Sequence, residues 1–105
     1  MGVLISSTEN LPIISYETQT NLDSVYGRIS YKAYPDGITM EISISIYLSR
    51  DKFLVDEKVS TSVHDGNFFV EIDPLTQTQS LSEALNYTIS HFQVLGYQCQ
   101  IHQIV

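Results

Sequence analysis

Residues 38–49, ITMEISISIYLS, alternate apolar and polar side chains without interruption. Because successive side chains of an extended chain point to opposite faces, Ile38, Met40, Ile42, Ile44, Ile46 and Leu48 share one face. Thr39, Glu41, Ser43, Ser45, Tyr47 and Ser49 share the other. The pattern commits this chain to a β-sheet with one dry face and one hydroxyl-rich, almost uncharged face. Twelve residues at ~3.3 Å each would span about 40 Å, twice the usual strand length, which predicts a bulge or bend within the segment.

The flanking segments read in the same way. In RISYKAY, residues 28–34, Ile29, Tyr31 and Ala33 oppose Arg28, Ser30, Lys32 and Tyr34. Pro35-Asp36-Gly37 follows, joining a preset φ, a self-capping carboxylate and a residue tolerant of positive φ, which is a hairpin signal. After a polar turn at 49–52, a third strand is expected over 53–63, with Val55, Val59 and Val63 on one face. His64-Asp65-Gly66-Asn67 reads as a second hairpin turn. A strand over 68–73 then sets Phe68, Val70 and Ile72 against Phe69 and Glu71, and Pro74 closes it. Four strands joined by short turns imply an antiparallel meander. Before it, a strand is expected at 13–18, beginning after Pro12, with another at 2–6 and a loop over 19–27.

The period changes after residue 79. Ser80-Leu81-Ser82-Glu83 matches a capping box, and Leu81, Ala84, Leu85, Ile89, Phe92 and Leu95 follow at helical spacing as one apolar stripe. Gly96 is placed to end that helix in a left-handed cap. The tail alternates again, with Tyr97, Cys99, Ile101 and Val105 opposite Gln98, Gln100 and His102. Its lack of acidic or basic residues other than His102 predicts an interior strand. Tyr31 and Tyr97 fall on apolar faces and are expected in the core.

The predicted fold is α+β in one domain, residues 1–105: an antiparallel meander of four to six strands, one C-terminal-half helix packed on one face, and a final strand returning to the sheet. A single helix covers a single face. The other face, carrying Arg28, Lys32, Tyr34, Glu41, Ser43, Ser45 and Tyr47, is left to water or to a partner.

Composition narrows the function. Hydrophobic residues make up 43% and charged residues 16%, a globular profile. Twelve acids against five bases give a net charge of −7, which repels a phosphate backbone and disfavours nucleic acid as a partner. All five bases lie between Arg28 and Lys58, so residues 1–27 and 59–105 hold the acidic excess. Were the two ends to meet, they would form an acidic face able to steer a basic protein. A lone cysteine, Cys99, makes no intramolecular disulfide and points to a cytoplasmic setting. No run approaches the ~20 apolar residues of a membrane span. Met1 to Ser6 fits M-G-x-x-x-[ST], the acylation pattern for Gly2, but the first 27 residues hold no Lys or Arg to supply a second membrane signal.

No motif for catalysis, cofactor binding or metal binding is found. The five glycines are scattered singly, no serine lies in G-x-S-x-G, and Cys99 and His102 face opposite ways on a strand. His64, His91 and His102 have no metal-ligand spacing. Asn86-Tyr87-Thr88 is a glycosylation sequon in mid-helix. Tyr34 and Tyr47, amphipathic rings on the polar face, suit a protein interface. The leading expectation is therefore a non-enzymatic protein-binding module of the inhibitor, immunity or adaptor kind. The alternatives are a homodimer with a structural or small-ligand role and an enzyme with a dispersed site.

Overall fold

The computed structural model describes residues 2–58 and 60–102. In chain order it contains β1 (Gly2–Ser6), β2 (Ile13–Ser15), β3 (Thr20–Leu22), β4 (Ser24–Ala33), β5 (Thr39–Tyr47), α1 (Arg50–Leu54), β6 (Gly66–Glu71), α2 (Leu81–Leu95) and β7 (Gln98–His102). Five strands form one antiparallel sheet in the order β6-β5-β4-β1-β7, and β2 and β3 pair separately. This is the α+β arrangement expected, with α2 on one face and the last strand back in the main sheet.

Local chemistry explains the best-defined turns. At the β4–β5 hairpin, Asp36 Oδ1 accepts from the Ile38 and Thr39 amides at 2.9 and 2.8 Å, while Oδ2 accepts from the Thr39 hydroxyl. Those bonds, that of the Thr39 hydroxyl foremost, hold the Asp36 carboxyl below its ordinary range. Gly37 supplies φ 75°. At the start of α2 the Ser80 hydroxyl accepts from the Glu83 amide. The Glu83 carboxylate accepts from the Gln77 side-chain amide, 3.1 Å away, where the capping box would have turned it back towards Ser80. Gly96, at φ 106°, ends the helix, and the Tyr97 amide donates to the Phe92 carbonyl.

The core lies between α2 and the face carrying Val3, Ile5, Val25, Ile29, Met40, Ile42, Ile44 and Ile46, all buried. Against it α2 sets Ala84, Leu85, Thr88 and Phe92, and the β2–β3 hairpin adds Ile13 and Leu22. Each large aliphatic side chain sealed here contributes roughly 1.5–3 kcal/mol. Thr88, the one polar member of the helix stripe, is satisfied because its hydroxyl donates to the Ala84 carbonyl at 2.8 Å. Gly27 belongs to this face too: a Cβ there would lie 3.2 Å from Val3 Cγ2, so a larger residue would crowd the β1–β4 layer.

Several expectations are corrected. Among the described residues no third strand forms over 53–63: Ser49 accepts from the Lys52 amide, 3.3 Å away, and starts α1 where a turn and strand were expected. Asp56, at φ 55°, then breaks the extended path. Residues 60–62 bond to β2 instead, through Tyr16 N–H to the Ser60 carbonyl and Ser62 N–H to the Ile14 carbonyl. Val59 and Val105 lie outside the described residues. The main-sheet meander within 28–73 thus has three strands, and β5 reaches β6 by a long connection, not a short turn. His64 and Asp65 precede β6 without forming a hairpin; the Asp65 carboxylate accepts from the Ile46 amide at 2.7 Å and caps the end of β5. Residues 19–27 are not a loop, because β3 and the first part of β4 occupy them.

The N-terminal segment holds the larger surprise. β1 lies inside the sheet between β4 and β7, and β7, among the described residues, is an edge strand with β1 as its only neighbour. An uncharged strand therefore proved no guide to an interior place. β5 ends at Tyr47, and its register against β4 runs unbroken from Tyr26↔Tyr47 to Ala33↔Met40, so the segment is shortened where a bend was expected. Tyr31 is 37% exposed on the stretch of β4 past its last described pairing with β1, Gly2↔Arg28, and Leu95 is exposed at the helix end. The chain ends do meet, through β1 and β7, but neither strand carries an acid, so no acidic face forms along that seam.

Candidate protein-docking face

The register lays out the face opposite α2. Across β6, β5 and β4 run the rows Phe69, Glu41, Lys32 and Asn67, Ser43, Ser30. Ser45 and Arg28 continue to Gly2 and His102, and Tyr47 and Tyr26 continue to Leu4 and Gln100. This face is not uniformly open. The short helix α1 lies over its far end and plants Phe53 among Tyr26, Tyr47 and Arg28. The ring centroids of Tyr26 and Tyr47 are 5.6 and 5.2 Å from that of Phe53, and the Arg28 guanidinium carbon is 5.8 Å from it.

The expected site residues therefore divide. Tyr47 is buried under Phe53, with the Lys58 ammonium 5.1 Å from its ring and its hydroxyl donating to Asp56 at 3.5 Å. It is not an accessible docking residue, and this corrects the expectation that it faces a partner. Arg28 is exposed but leans on the same Phe53 ring. Ser45 sits at the boundary. Lys32, Tyr34, Glu41 and Ser43 occupy the uncovered end.

At that end neither Lys32 nor Glu41 is in an ion pair among the described residues. Lys32 and Glu41 are directly opposed in the ladder, yet the ion pairs among the described residues are Lys52–Glu57 and Lys58–Asp65. The Lys32 ammonium instead stands 5.3 Å from the Tyr34 ring centre, an exposed cation–π contact of about 0.5–1 kcal/mol. Tyr34 in turn lies 6.1 Å from Phe69, so a cation, a phenol and a phenyl ring follow one another across the strands. Gln79 secures the base of this cluster by donating to the Tyr34 and Thr39 carbonyls at 2.9 and 2.8 Å.

Phe69 is the residue that completes the cluster and that the sequence reading left out of the site. It is 60% exposed on an edge strand. Alternation against Phe68 already places it on the polar face, and an unshielded phenyl ring there was a readable signal. The Ile72 amide donates to the Ile38 carbonyl, so in an antiparallel ladder Val70 and Phe68 bond towards β5 while Asn67, Phe69 and Glu71 turn their amides outward.

The remaining candidates for chemistry stay apart. Cys99 is buried on the core side, where burial raises its thiol pKa to about 11. Among the described residues, no three His, Cys, Asp or Glu side chains are grouped to hold a metal ion. None of their helices is long and apolar enough to cross a membrane. Comparison with known proteins adds no assignment: the chain matches no family model, no curated protein and no solved structure.

Proposed function

We propose that this chain is a non-enzymatic protein-binding module that docks a partner on the uncovered end of the sheet, through Lys32, Tyr34, Glu41, Ser43 and Phe69. The observation that carries the reading is Phe69, a large apolar ring left 60% exposed beside a second aromatic and two charges that form no ion pair among the described residues. Buried aromatic anchors ringed by polar groups supply most of the energy of protein interfaces. The partner is a protein of net positive charge. A second copy of this chain could pair antiparallel along the outward amides of β6, but it would bring a further −7 to the interface, whereas a basic protein is attracted by the same field.

The test is native affinity capture from the source cell followed by native mass spectrometry, with the intact chain, Phe69→Ser and a Val94→Ser control on the exposed side of α2. A basic protein held at defined stoichiometry by the intact chain and the control, and lost by at least tenfold with Phe69→Ser, is the expected result. Equal retention by Phe69→Ser, or an isolated monomer in every case, refutes the reading. A concentration-dependent dimer abolished by Phe69→Lys would replace it with the self-paired form.

A further inference from the structure

On the α2 side of the sheet, the row of side chains shared by β5 and β6 stops short. Ile44 is paired with Gly66, and alternation sets Gly66 on the side of Phe68 and Val70, which pack against the core. No side chain therefore stands beside Ile44 on β6, and a Cβ added at Gly66 would meet nothing within 4 Å. A cavity of about 230 Å³ occupies this gap, closed on its other side by His91, Phe92 and Leu95 of α2. For comparison, an apolar cavity of ~150 Å³ takes up benzene.

Aromatic rings make up much of the wall. Phe68 and His91 are stacked with centroids 4.5 Å apart, Phe92 meets His91 edge-on at 5.4 Å, and Tyr97 meets Phe92 edge-on at 6.2 Å. All four line the cavity, and these three contacts join them into one continuous surface. Ile44 and Val63, each 5% exposed, add an apolar floor. His64, Asn67 and Leu95 are exposed and mark the mouth, so the space is open to a molecule arriving from water. Among the described residues, no Asp, Glu, Lys or Arg lines it, although the chain carries seventeen such side chains, twelve acidic and five basic. Burial raises the pKa of Tyr97, so that phenol adds no charge at neutral pH either.

We propose that this cavity binds a small neutral aromatic molecule of one or two fused rings, with the ring against Phe68, His91, Phe92 and Tyr97 and a single polar group at the mouth. The inference is independent of protein docking at Phe69, which lies on the opposite face of the sheet. Neutrality follows from the lining: a charged ligand would leave water and find no counter-charge in the wall. An aromatic body follows from the rings, because an aromatic ligand gains both from stacking on a ring face and from meeting a ring edge, beyond the area it buries. A cation gains only from a ring face. Asn67 and His64 at the mouth offer both donors and acceptors to one polar group.

Amide-resolved NMR titration of the full chain tests this at pH 8, where imidazoles are uncharged, with phenol, indole, cyclohexanol, benzoate and benzylammonium as probes. Saturable shifts centred on Gly66, Phe68, His91 and Tyr97 are expected with phenol and indole, together with nuclear Overhauser contacts from the probe to the rings of Phe68, Phe92 and Tyr97. Cyclohexanol, the saturated counterpart of phenol, should bind about threefold more weakly or worse, and the two ions more weakly still. Gly66→Leu grows a side chain into the gap and should abolish binding while the spectrum remains that of a folded chain; Leu75→Ser, on an exposed turn, should leave binding unchanged. Should Gly66→Leu fail to fold, the Overhauser contacts in the unaltered chain decide alone. Absence of saturable shifts with both phenol and indole, contacts to other residues, cyclohexanol or either ion binding as tightly as phenol, or undiminished binding by a folded Gly66→Leu chain overturns the proposal.

Discussion

Replacing Gly2 by alanine should be among the most damaging single-methyl changes this chain can suffer. The added Cβ would collide with the Gly27 carbonyl oxygen and lie 2.5 Å from Cζ and Oη of Tyr26. Ordinary carbon contacts lie at roughly 3.5–4.0 Å, so about 1 Å of space must be found. The carbonyl belongs to the β1–β4 layer, and the phenol is wedged between Phe53 and His102. Either the two strands part or Tyr26 leaves a buried place. Overpacking costs about 1–3 kcal/mol, and a strained backbone neighbour puts this case at the upper end, about 3 kcal/mol. For a chain of this size that corresponds to a fall in Tm of roughly 12 °C or more. Two other glycines calibrate the measurement. Gly27→Ala meets only side-chain methyls, Val3 Cγ2 at 3.2 Å and Ile5 Cδ1 at 3.4 Å, and should cost about 1 kcal/mol. Gly66→Ala meets nothing within 4 Å and should stabilise by about 0.4–1 kcal/mol through the unfolded chain. Urea unfolding followed by circular dichroism ranks the three. A Gly2→Ala loss below 1 kcal/mol, or a loss smaller than that of Gly27→Ala, would refute the packing argument for β1 and Tyr26.

Cys99, with its thiol pKa raised to about 11, should react with a disulfide reagent at pH 8 roughly two hundred times more slowly than an exposed cysteine, and at the ordinary rate once urea unfolds the chain. For Asp65, burial acts to raise the pKa, but the bonds from Lys58 and the Ile46 amide outweigh it and leave the carboxyl below its ordinary value. Its contribution is therefore present above the unfolded pKa of about 3.9 and is lost as pH falls through the folded value. The Lys58 and Asp65 side chains are 41% and 52% exposed, so the ion pair contributes at most about 1 kcal/mol, and Asp65→Asn should flatten the acid limb of the urea midpoint by no more than that. Phe53→Ala should cost about 2 kcal/mol and change the near-ultraviolet dichroism of Tyr26 and Tyr47, because it removes the ring on which both pack; an unchanged tyrosine signal would mean that α1 does not cover them.

The features legible from sequence were those set by neighbours along the chain. Alternation in 38–48, the Asp36 turn, the Ser80 cap and Gly96 each depend on a few adjacent residues, and each formed as expected. What the sequence did not disclose was assembly between distant segments. Nothing in GVLIS says that it lies between two other strands, since a run of three large apolar residues, Val3, Leu4 and Ile5, reads alike at an edge or in the middle. Ser49 was a readable helix cap, but the run Phe53-Leu54-Val55 and the spacing of the valines favoured a strand. That error carried into the site: with no helix at 50–54, Tyr47 seemed open, while in the fold Phe53 closes over it. Hairpin register and alternation were enough to determine the side of the sheet on which Lys32, Tyr34, Glu41 and Ser43 stand. Phe69 obeyed the same alternation and was passed over only because the reading sought polar residues.

The seating of Gly2 opposite both Arg28 and His102 has a kinetic consequence. The first pairing closes a modest loop, but the second spans almost the whole chain, and loop-closure entropy rises with that distance. Such a topology, with high contact order, folds slowly for its length. Until α2 has crossed and delivered β7, one side of β1 stands bare, and a refolding chain is most open to aggregation through that margin.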